Sequence, residues 1–368
     1  MLQPGCGKSN DVSKNVGCSR MRITHNKPTI GISESNSVKK VILSKNISYG
    51  KIGRKAEHLI TQYLNRSGKC HLVNSGTTAL YLSLAWLKEQ HGIDKVFIPT
   101  YTCTAVLNAV LHADLRPIII DIGHNLNISI ENITDFDLKN SAIIITNTFG
   151  YPADLSRFTN LNIPIIEDNA QSIGSTYKKT LLGSFGICST YSFYATKMIT
   201  CGYGGAIFTT NHQLSDWLDD YLNFDMPREY KPRFNYLLSD INSGILIEQL
   251  NNINYFLDKR KQIFTIYKKY FGDLIYESKN SDCEPNYYRI LLEVNNPLKI
   301  SESLKMNGID TIIPITTSEL IHNYLCLNKN MFPSAEIVST RYLSLPAYPS
   351  LTQKNLGEIV GCLTKLLS

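Results

Sequence analysis

The sequence predicts an α/β fold in which a mostly parallel sheet is covered by helices on both faces, followed by a smaller α+β domain. From about residue 47, short and continuously apolar runs alternate with segments of helical periodicity. Continuous rather than alternating hydrophobicity indicates strands that are buried on both faces. The chain has 368 residues, 43% of them hydrophobic, which is enough for one large domain and a smaller companion.

The elements follow one another in a regular order. "KCHLVNSG" predicts a strand and a turn, and "TTALYLSLAWLKEQHG" predicts a helix closed by a glycine. "KVFIP" predicts a strand, "TAVLNAVLHAD" a helix, and "RPIIIDI", "SAIIITNTFG" and "IPIIEDNA" three more strands, while "LGEIVGCLTKLLS" predicts a C-terminal amphipathic helix. We expect a flexible polar N-terminus at 1–20, a large domain at 21–255 and a small α+β domain at 256–368.

Composition excludes several classes of protein. The net charge of +6 is spread along the chain, with no RNA-binding signature and no zinc-finger spacing, so neither nucleic-acid binding nor a metal site is predicted. The nine cysteines are odd in number and form no CxxC pair, which favours reduced thiols in a cytoplasmic protein. No apolar stretch is long enough to span a membrane, and the N-terminus lacks the apolar centre of a signal peptide.

A single lysine stands out in "STYSFYATKMITCGYGG", residues 189–205. Thr190 to Tyr194 predicts a strand, and the glycines from Gly202 to Gly205 predict sharp turns, so Lys197 lies where a strand passes into a loop. A lysine in a dry site can lose its proton and attack a carbonyl to form a Schiff base. An ordinary surface lysine is the alternative.

Two further sites would complete a binding pocket. In "NSGTTAL", Ser75, Gly76, Thr77 and Thr78 lie at a predicted helix N-terminus, where unpaired N–H groups favour a phosphate, although an ordinary N-cap gives the same pattern. In "IPIIEDNAQSIG", an adjacent pair of acids, Glu167 and Asp168, ends a strand at the edge of the sheet where ligands collect. A helix cap or a structural ion pair is the alternative there.

Together these sites provide a phosphate cradle, a carboxylate and an aldehyde-reactive lysine. Pyridoxal 5'-phosphate (PLP) requires all three, for its phosphate, its pyridinium nitrogen and its aldehyde. The combination is far more specific than any one member, and it predicts a PLP site.

Eight motifs occur in one order and spacing from about residue 40 to the end: "NSGTTAL", "FIPTYTCTAVLNAVLHADLRPIIIDI", "FGYPADL", "IIEDNAQSIGSTY", "GSFGICSTYSFYATK", "GYGGAIFTTN", "FNYLLSDINSGILIEQLNNI" and "FPSAEIVSTRYLSLPAYPSLT". In these the chain resembles the DegT/DnrJ/StrS family of PLP-dependent sugar aminotransferases, which have fold type I, the aspartate-aminotransferase-like fold. One class of that family replaces the Schiff-base lysine with histidine and dehydrates sugars, and Lys197 argues against that class here.

The resemblance implies a role for each matched residue. Lys197 would form the Schiff base with PLP and carry protons, and Asp168 would pair with the pyridinium nitrogen. Gln171 would contact the phenolic oxygen of the cofactor. The phosphate would be bound by Gly76, Thr77, Thr78 and Ser192. Asn235 would reach the phosphate of the neighbouring subunit, which implies a homodimer with shared active sites.

The implied reaction moves an amino group from L-glutamate to a keto sugar, here expected to be nucleotide-linked, by a ping-pong mechanism. Two alternatives stay open. The acceptor could be a keto-cyclitol or another polyhydroxy ketone without a nucleotide, or the protein could be a non-catalytic regulator that keeps PLP or only the fold.

Four positions depart from the family pattern. The residue that usually stacks on the cofactor ring is Cys103, so either Cys103 or the nearby Tyr101 covers the ring. Leu237 replaces an arginine, Tyr203 a glutamate and Asn147 a histidine.

Four basic side chains outside these motifs have open roles. The basic cluster Arg228, Lys231 and Arg233 would meet a diphosphate or simply be solvated. His322 is expected to be a surface histidine rather than a residue of the substrate site.

Overall fold

The computed structural model describes residues 22–226 and 228–368, so the predicted flexible segment at 1–20 lies outside the described residues. The described part contains these helices: α1 (Ile32–Ser44), α2 (Lys51–Leu64), α3 (Gly76–His91), α4 (Thr104–His112), α5 (Leu155–Phe158), α6 (His212–Leu222), α7 (Asp240–Asn251), α8 (Ile253–Phe271), α9 (Pro297–Met306), α10 (Ile321–Tyr324), α11 (Pro333–Val338) and α12 (Gln353–Leu367). None of them is long and apolar enough to cross a membrane.

The strands in the same residues are β1 (Lys69–Val73), β2 (Lys95–Pro99), β3 (Arg116–Ile120), β4 (Ser141–Thr146), β5 (Ile165–Asp168), β6 (Thr176–Tyr177), β7 (Thr180–Leu181), β8 (Cys188–Ser192), β9 (Gly205–Thr209), β10 (Cys283–Glu284), β11 (Ile290–Glu293) and β12 (Tyr342–Leu345). Seven of them form one sheet in the order β1-β9-β8-β5-β4-β2-β3. In this sheet β9 runs antiparallel to both of its neighbours, β1 and β8, and the other neighbouring strands are parallel to each other. The predicted α/β class with a mostly parallel sheet is confirmed.

Burial explains why the strand sequences are continuously apolar. Every residue of β2, β4, β5 and β9 is buried, because helices cover both faces of the sheet. On one face α3 and α4 pack over the sheet through a cluster that includes Leu82, Trp86 and Val110. On the other, α2 and α7 contribute Ile60, Leu246 and neighbouring side chains to a separate cluster. The sheet is thereby held rigid, with its carboxyl ends free to carry a site.

A third hydrophobic cluster lies in the C-terminal part of the chain. It joins α8, α9 and α12 to the two-stranded antiparallel sheet of β11 and β12. Ile23 belongs to this cluster as well, and its backbone pairs with that of Ile309 in a β-bridge. The division of the chain into domains at residue 255 stays a prediction.

Candidate active site

A pocket opens where β2, β4 and β5 end, at the carboxyl edge of the sheet. Its walls come from the segments that follow these strands, together with Lys197 and one residue of the C-terminal part. The lining residues are Tyr101, Thr102, Cys103, Thr146, Asn147, Thr148, Phe149, Asp168, Ala170, Gln171, Lys197 and Ile315. Ligands of open α/β sheets bind at this edge.

Lys197 reaches the pocket from the loop between β8 and β9. Its backbone N–H donates to the Tyr194 carbonyl at 2.9 Å, which closes a turn just before the lysine. The side chain is half-buried, and Nζ lies 5.7 Å from the centre of the Tyr288 ring. The loop therefore holds the amine against an aromatic wall rather than in open solvent.

Asp168, the last residue of β5, is 8% exposed and lines the same pocket. One carboxylate oxygen accepts the Ala170 N–H at 3.0 Å. Burial raises the pKa of Asp168, and the Ala170 hydrogen bond and the Lys197 charge only partly oppose this, so the pKa stays above its ordinary value. A carboxylate in this state gains from any cation that enters the pocket.

The adjacent Glu167 is committed to the fold. Its carboxylate is fully buried and accepts three backbone N–H groups, from Gly183 at 2.8 Å, Phe185 at 2.6 Å and Gly186 at 2.8 Å. The two acids of the "ED" pair therefore point to different environments, as alternation along a strand requires. Only Asp168 is available to a ligand.

The first turn of α3 combines both roles that its sequence allows. Ser75 is the N-cap, since its Oγ accepts the Thr78 N–H at 3.1 Å, and the Thr78 hydroxyl donates to Asn74 Oδ1 at 2.7 Å. The backbone N–H groups of Gly76 and Thr77, however, form no hydrogen bond with any described residue. They remain available to an anion at the positive end of a helix of 16 residues.

Glycines bring this helix terminus against the strands that lead to Lys197. A Cβ atom at Gly76 would lie 2.8 Å from the Cβ of Ser192, closer than side chains pack. A Cβ at Gly205 would collide with the Ser75 carbonyl. Gly202, with φ +87°, makes the turn that was expected of the glycine cluster, whereas Gly205 is needed for close approach.

The remaining pocket residues surround the space above Asp168. Gln171 accepts the Phe149 N–H at 2.8 Å through Oε1, which leaves its amide nitrogen to face a ligand. Tyr101 is fully buried and packs edge-on against Phe149, with ring centres 5.8 Å apart. Cys103 is exposed and lines the pocket at the start of α4. Of the two candidates for covering a cofactor ring, Cys103 is thus at the opening and Tyr101 is part of the wall.

Asn235 does not line this pocket. It is exposed, and its Oδ1 accepts the Leu237 N–H at 3.1 Å. The next residue, Tyr236, accepts the Asn74 N–H at 2.7 Å, so the segment runs beside the end of β1. Phe234 is 71% exposed beside it.

The basic cluster is largely paired with acids of its own chain. Arg233 forms an ion pair with Asp220 at 2.7 Å, and Lys231 forms one with Glu89 at 3.0 Å. Arg228 is exposed. These pairings favour a structural role over a diphosphate contact.

The expectation of a surface histidine at position 322 was wrong. His322 is fully buried, with Nδ1 2.6 Å from the Thr100 hydroxyl and Nε2 2.9 Å from Glu336 Oε1. Its ring stacks on Phe332 at 4.3 Å. The error arose because α10 packs against the end of β2, a contact between residues more than 200 positions apart.

Sequence reasoning missed the segment that faces Lys197 from the C-terminal part. Tyr288 is 4% exposed, and beside it the half-buried Arg289 places its guanidinium carbon 5.4 Å from the Tyr288 ring centre. Burial raises the pKa of Tyr288, but the charges of Lys197, Arg289 and Arg260 and a hydrogen bond from Thr196 bring it below its ordinary value. An arginine just before an apolar strand, in "NYYRILLEV", is the only signal that the sequence offers.

These features fit PLP. The buried carboxylate of Asp168 would pair with a pyridinium nitrogen, Lys197 would hold the aldehyde carbon, and the Gly76–Thr77 turn with Ser192 would hold the phosphate. The closeness of Gly76 to Ser192, which only glycine permits, keeps the two halves of the phosphate cradle together.

Residues 28–364 match the model of the DegT/DnrJ/EryC1/StrS aminotransferase family. An uncharacterised protein of Methanocaldococcus jannaschii is 28% identical, over 93% of this chain and 97% of that one. GDP-perosamine synthase of Escherichia coli O157:H7 is 29% identical, over 80% of this chain and 85% of that one. The PLP form of a sugar aminotransferase, Spr1654 of Streptococcus pneumoniae, described as putative, has the same fold: TM-score 0.85 and 21% identity over 94% of this chain and 100% of that one.

Proposed function

Because the chain belongs to the DegT/DnrJ/EryC1/StrS aminotransferase family and is a PLP-dependent aminotransferase, we propose that it moves an amino group from L-glutamate to a nucleotide-linked keto sugar. The observation that carries this proposal is the presence of Lys197 and Asp168 in one pocket, beside an anion cradle at the start of α3. The pocket opens at one edge of the sheet, where donor and acceptor would enter in turn.

The side chains divide the work between binding and proton transfer. When bound, PLP supplies an electron sink for the charge that develops at the donor α-carbon. Asp168 would keep that sink effective, because its carboxylate would stabilise the positive charge on the pyridinium nitrogen. Lys197 Nζ would move the proton released at the donor α-carbon to the cofactor, and in the second half-reaction it would move a proton from the cofactor to the acceptor carbon.

Gln171 and the α3 cradle orient the bound molecule, and the wall of Tyr101, Phe149 and Tyr288 excludes water. The keto acid leaves before the keto sugar enters, which predicts ping-pong kinetics. The relative from Escherichia coli, named for the synthesis of GDP-perosamine, supports a nucleotide-linked acceptor.

Absorbance and product analysis test this proposal. Protein purified with PLP should be yellow, and L-glutamate should bleach the visible band. Nucleotide-linked keto sugars, free keto sugars and keto-cyclitols are then added one at a time. A nucleotide-linked keto sugar should restore the visible band, and mass spectrometry should identify the amino sugar that forms. If only a keto-cyclitol restores the band, the acceptor is a keto-cyclitol rather than a nucleotide-linked sugar. If no amino acid changes the band, the result favours a non-catalytic regulator.

We also propose that the enzyme is a homodimer with shared sites, in which Asn235 reaches the partner's phosphate cradle. The exposure of Asn235 and Phe234 supports this, because both side chains are available to a second copy. In an isologous dimer the exchange is mutual. A mixed dimer of Lys197→Ala and Asn235→Ala chains should then contain one doubly damaged site and one intact site.

The mixed dimer is expected to recover about half of the wild-type activity, by the symmetry of the two sites. Differently tagged chains can be co-expressed and the mixed species isolated by two affinity steps. The parent homodimers serve as controls at limiting PLP. Activity no higher than that of the Asn235→Ala parent would show that Lys197 and Asn235 serve the same site.

A further inference from the structure

Arg289 lies at the entrance to β11, next to the pocket. Its guanidinium carbon is 5.6 Å from the centre of the Phe149 ring and 5.4 Å from that of Tyr288. Its backbone N–H also points to the Phe149 carbonyl, at 3.4 Å. Phe149 lines the pocket, and Lys197 Nζ faces the same Tyr288 ring at 5.7 Å. The guanidinium and the reactive amine therefore lie around one aromatic side chain.

The positive charge of Arg289 has no acidic partner in the described residues. No carboxylate in 22–226 or 228–368 forms an ion pair with it, although eleven pairs between a lysine or arginine and a carboxylate occur elsewhere in these residues. Its Nε is buried and forms no hydrogen bond with a described group, and the same holds for the hydroxyl of Tyr101. Buried donors without partners are costly unless a ligand satisfies them.

The described residues around Arg289 include a second buried arginine, Arg260, and a neutral histidine, His25, rather than an acid. Arg260 is fully buried and donates through Nη1 to the carbonyl oxygens of Tyr288, at 3.0 Å, and Ala347. Burial, with the charges of Arg289 and Arg260, lowers the pKa of His25 to about 3, so that imidazole stays neutral near pH 7. Arg260 Nη1 is thus paired with backbone carbonyls, although its Nε, like that of Arg289, is buried without a partner among the described groups. Arg289 differs in that its guanidinium lies against Phe149, which lines the pocket.

We infer that Arg289, assisted by the Tyr101 hydroxyl, binds the α-carboxylate of the amino donor. This rests on the proposed function, since it concerns the donor of that reaction. A planar guanidinium matches a carboxylate with two parallel hydrogen bonds, and the buried Nε is one of the donors such a pair uses. The cofactor phosphate has its own cradle at α3, so it does not compete for this position.

The position also suits the chemistry. Lys197 must reach the proton on the donor α-carbon, and the α-carboxylate is bonded to that same carbon. A carboxylate held between Arg289 and the pocket would therefore orient the C–H bond toward Lys197. Phe149 and Tyr288 hold the guanidinium plane and exclude water, which strengthens the charge pair.

Comparison of two amines tests the inference. L-glutamate has the α-carboxylate, and 4-aminobutyrate is the same molecule without it. Under single-turnover conditions, Arg289→Gln should slow bleaching by L-glutamate on the order of a hundredfold, as loss of a buried charge-pair partner does. Bleaching by 4-aminobutyrate should change less than about twofold, because it never uses this contact. Arg116→Gln, an exposed change at the start of β3 and away from the carboxyl edge of the sheet, is the matched control and should leave both rates unchanged.

Unchanged bleaching by L-glutamate in Arg289→Gln, or an equal loss with both amines, would overturn the assignment. If neither amine bleaches the wild type, the proposed reaction fails, and binding then decides this inference separately. Calorimetry with 2-oxoglutarate on the cofactor-free protein should show affinity at least about tenfold weaker in Arg289→Gln, and equal affinity would reject the site. If Arg289→Gln does not fold, Arg289→Lys should show an intermediate loss, since an ammonium cannot pair bidentately.

Discussion

Replacing Lys197 with alanine is expected to abolish transamination while the protein keeps its fold. The side chain is half-buried, lies in a loop and forms no ion pair with a described residue, so little packing is lost. Without Nζ, no group in the pocket can hold the cofactor aldehyde or carry the α-proton. Loss of proton transfer alone should reduce the rate on the order of 10⁴-fold.

Spectroscopy and peptide mapping measure this expectation. The variant purified with PLP should lack the visible band of the wild type, while its circular dichroism stays unchanged. Borohydride reduction of the wild type should attach the cofactor to the peptide that contains Lys197. Lys55→Ala, an exposed change on α2, is the matched control and should retain band and activity. A label on any other lysine would move the reactive amine elsewhere.

Local sequence patterns predicted the sheet because its strands are buried on both faces. Continuous apolar runs such as "SAIIIT" have no other stable place, so β4 falls where the sequence indicated. The strand expected at Thr190–Tyr194 is instead β8, Cys188–Ser192. The Phe193 N–H still donates to the Gly204 carbonyl at 2.8 Å, which continues the pairing with β9 by one residue. The Phe193 carbonyl then accepts the Cys201 N–H at 3.0 Å, so the chain turns back on itself there and leaves the sheet.

The candidate site was predictable from the sequence where its residues lie at or just after the ends of strands. Asp168 ends one strand of the sheet, Lys197 follows a second, and the first turn of α3 follows a third, so topology brings them to one edge. Arg289 and Tyr288 were not predictable, because they meet Phe149 and Lys197 only through tertiary packing. His322 was misassigned for the same reason, since its partner Thr100, just after β2, is 222 positions away in the sequence.

Changing Asp168 to asparagine is expected to separate activity from stability. The neutral amide cannot stabilise a protonated pyridine nitrogen, so turnover should fall on the order of a hundredfold or more. The cofactor-free variant, by contrast, should melt at a higher temperature than the wild type, because it no longer buries a carboxylate that lacks a full set of partners. Measurement of turnover and of Tm without PLP gives both values from one preparation.

The pKa of Asp168 sets how the expected rise in Tm of cofactor-free Asp168→Asn depends on pH. Because burial raises the folded-state pKa, the folded protein binds the proton more tightly than the unfolded chain does. The wild type should therefore lose stability as the pH rises from the unfolded-state pKa through the raised folded-state pKa. The Tm advantage of Asp168→Asn should accordingly be small near about pH 4 and larger near about pH 8.

Glu167→Gln is the matched control, since it neutralises the adjacent buried acid in the same strand. Glu167 accepts backbone N–H groups on both oxygens, from Gly183, Phe185 and Gly186, and an amide nitrogen cannot accept any of them. This variant should melt at a lower temperature, yet its folded fraction should retain the visible band. Opposite signs of the Tm change in two neighbouring acids would separate a ligand-binding carboxylate from a structural one. Near-normal turnover in Asp168→Asn would instead assign Asp168 to the structure alone.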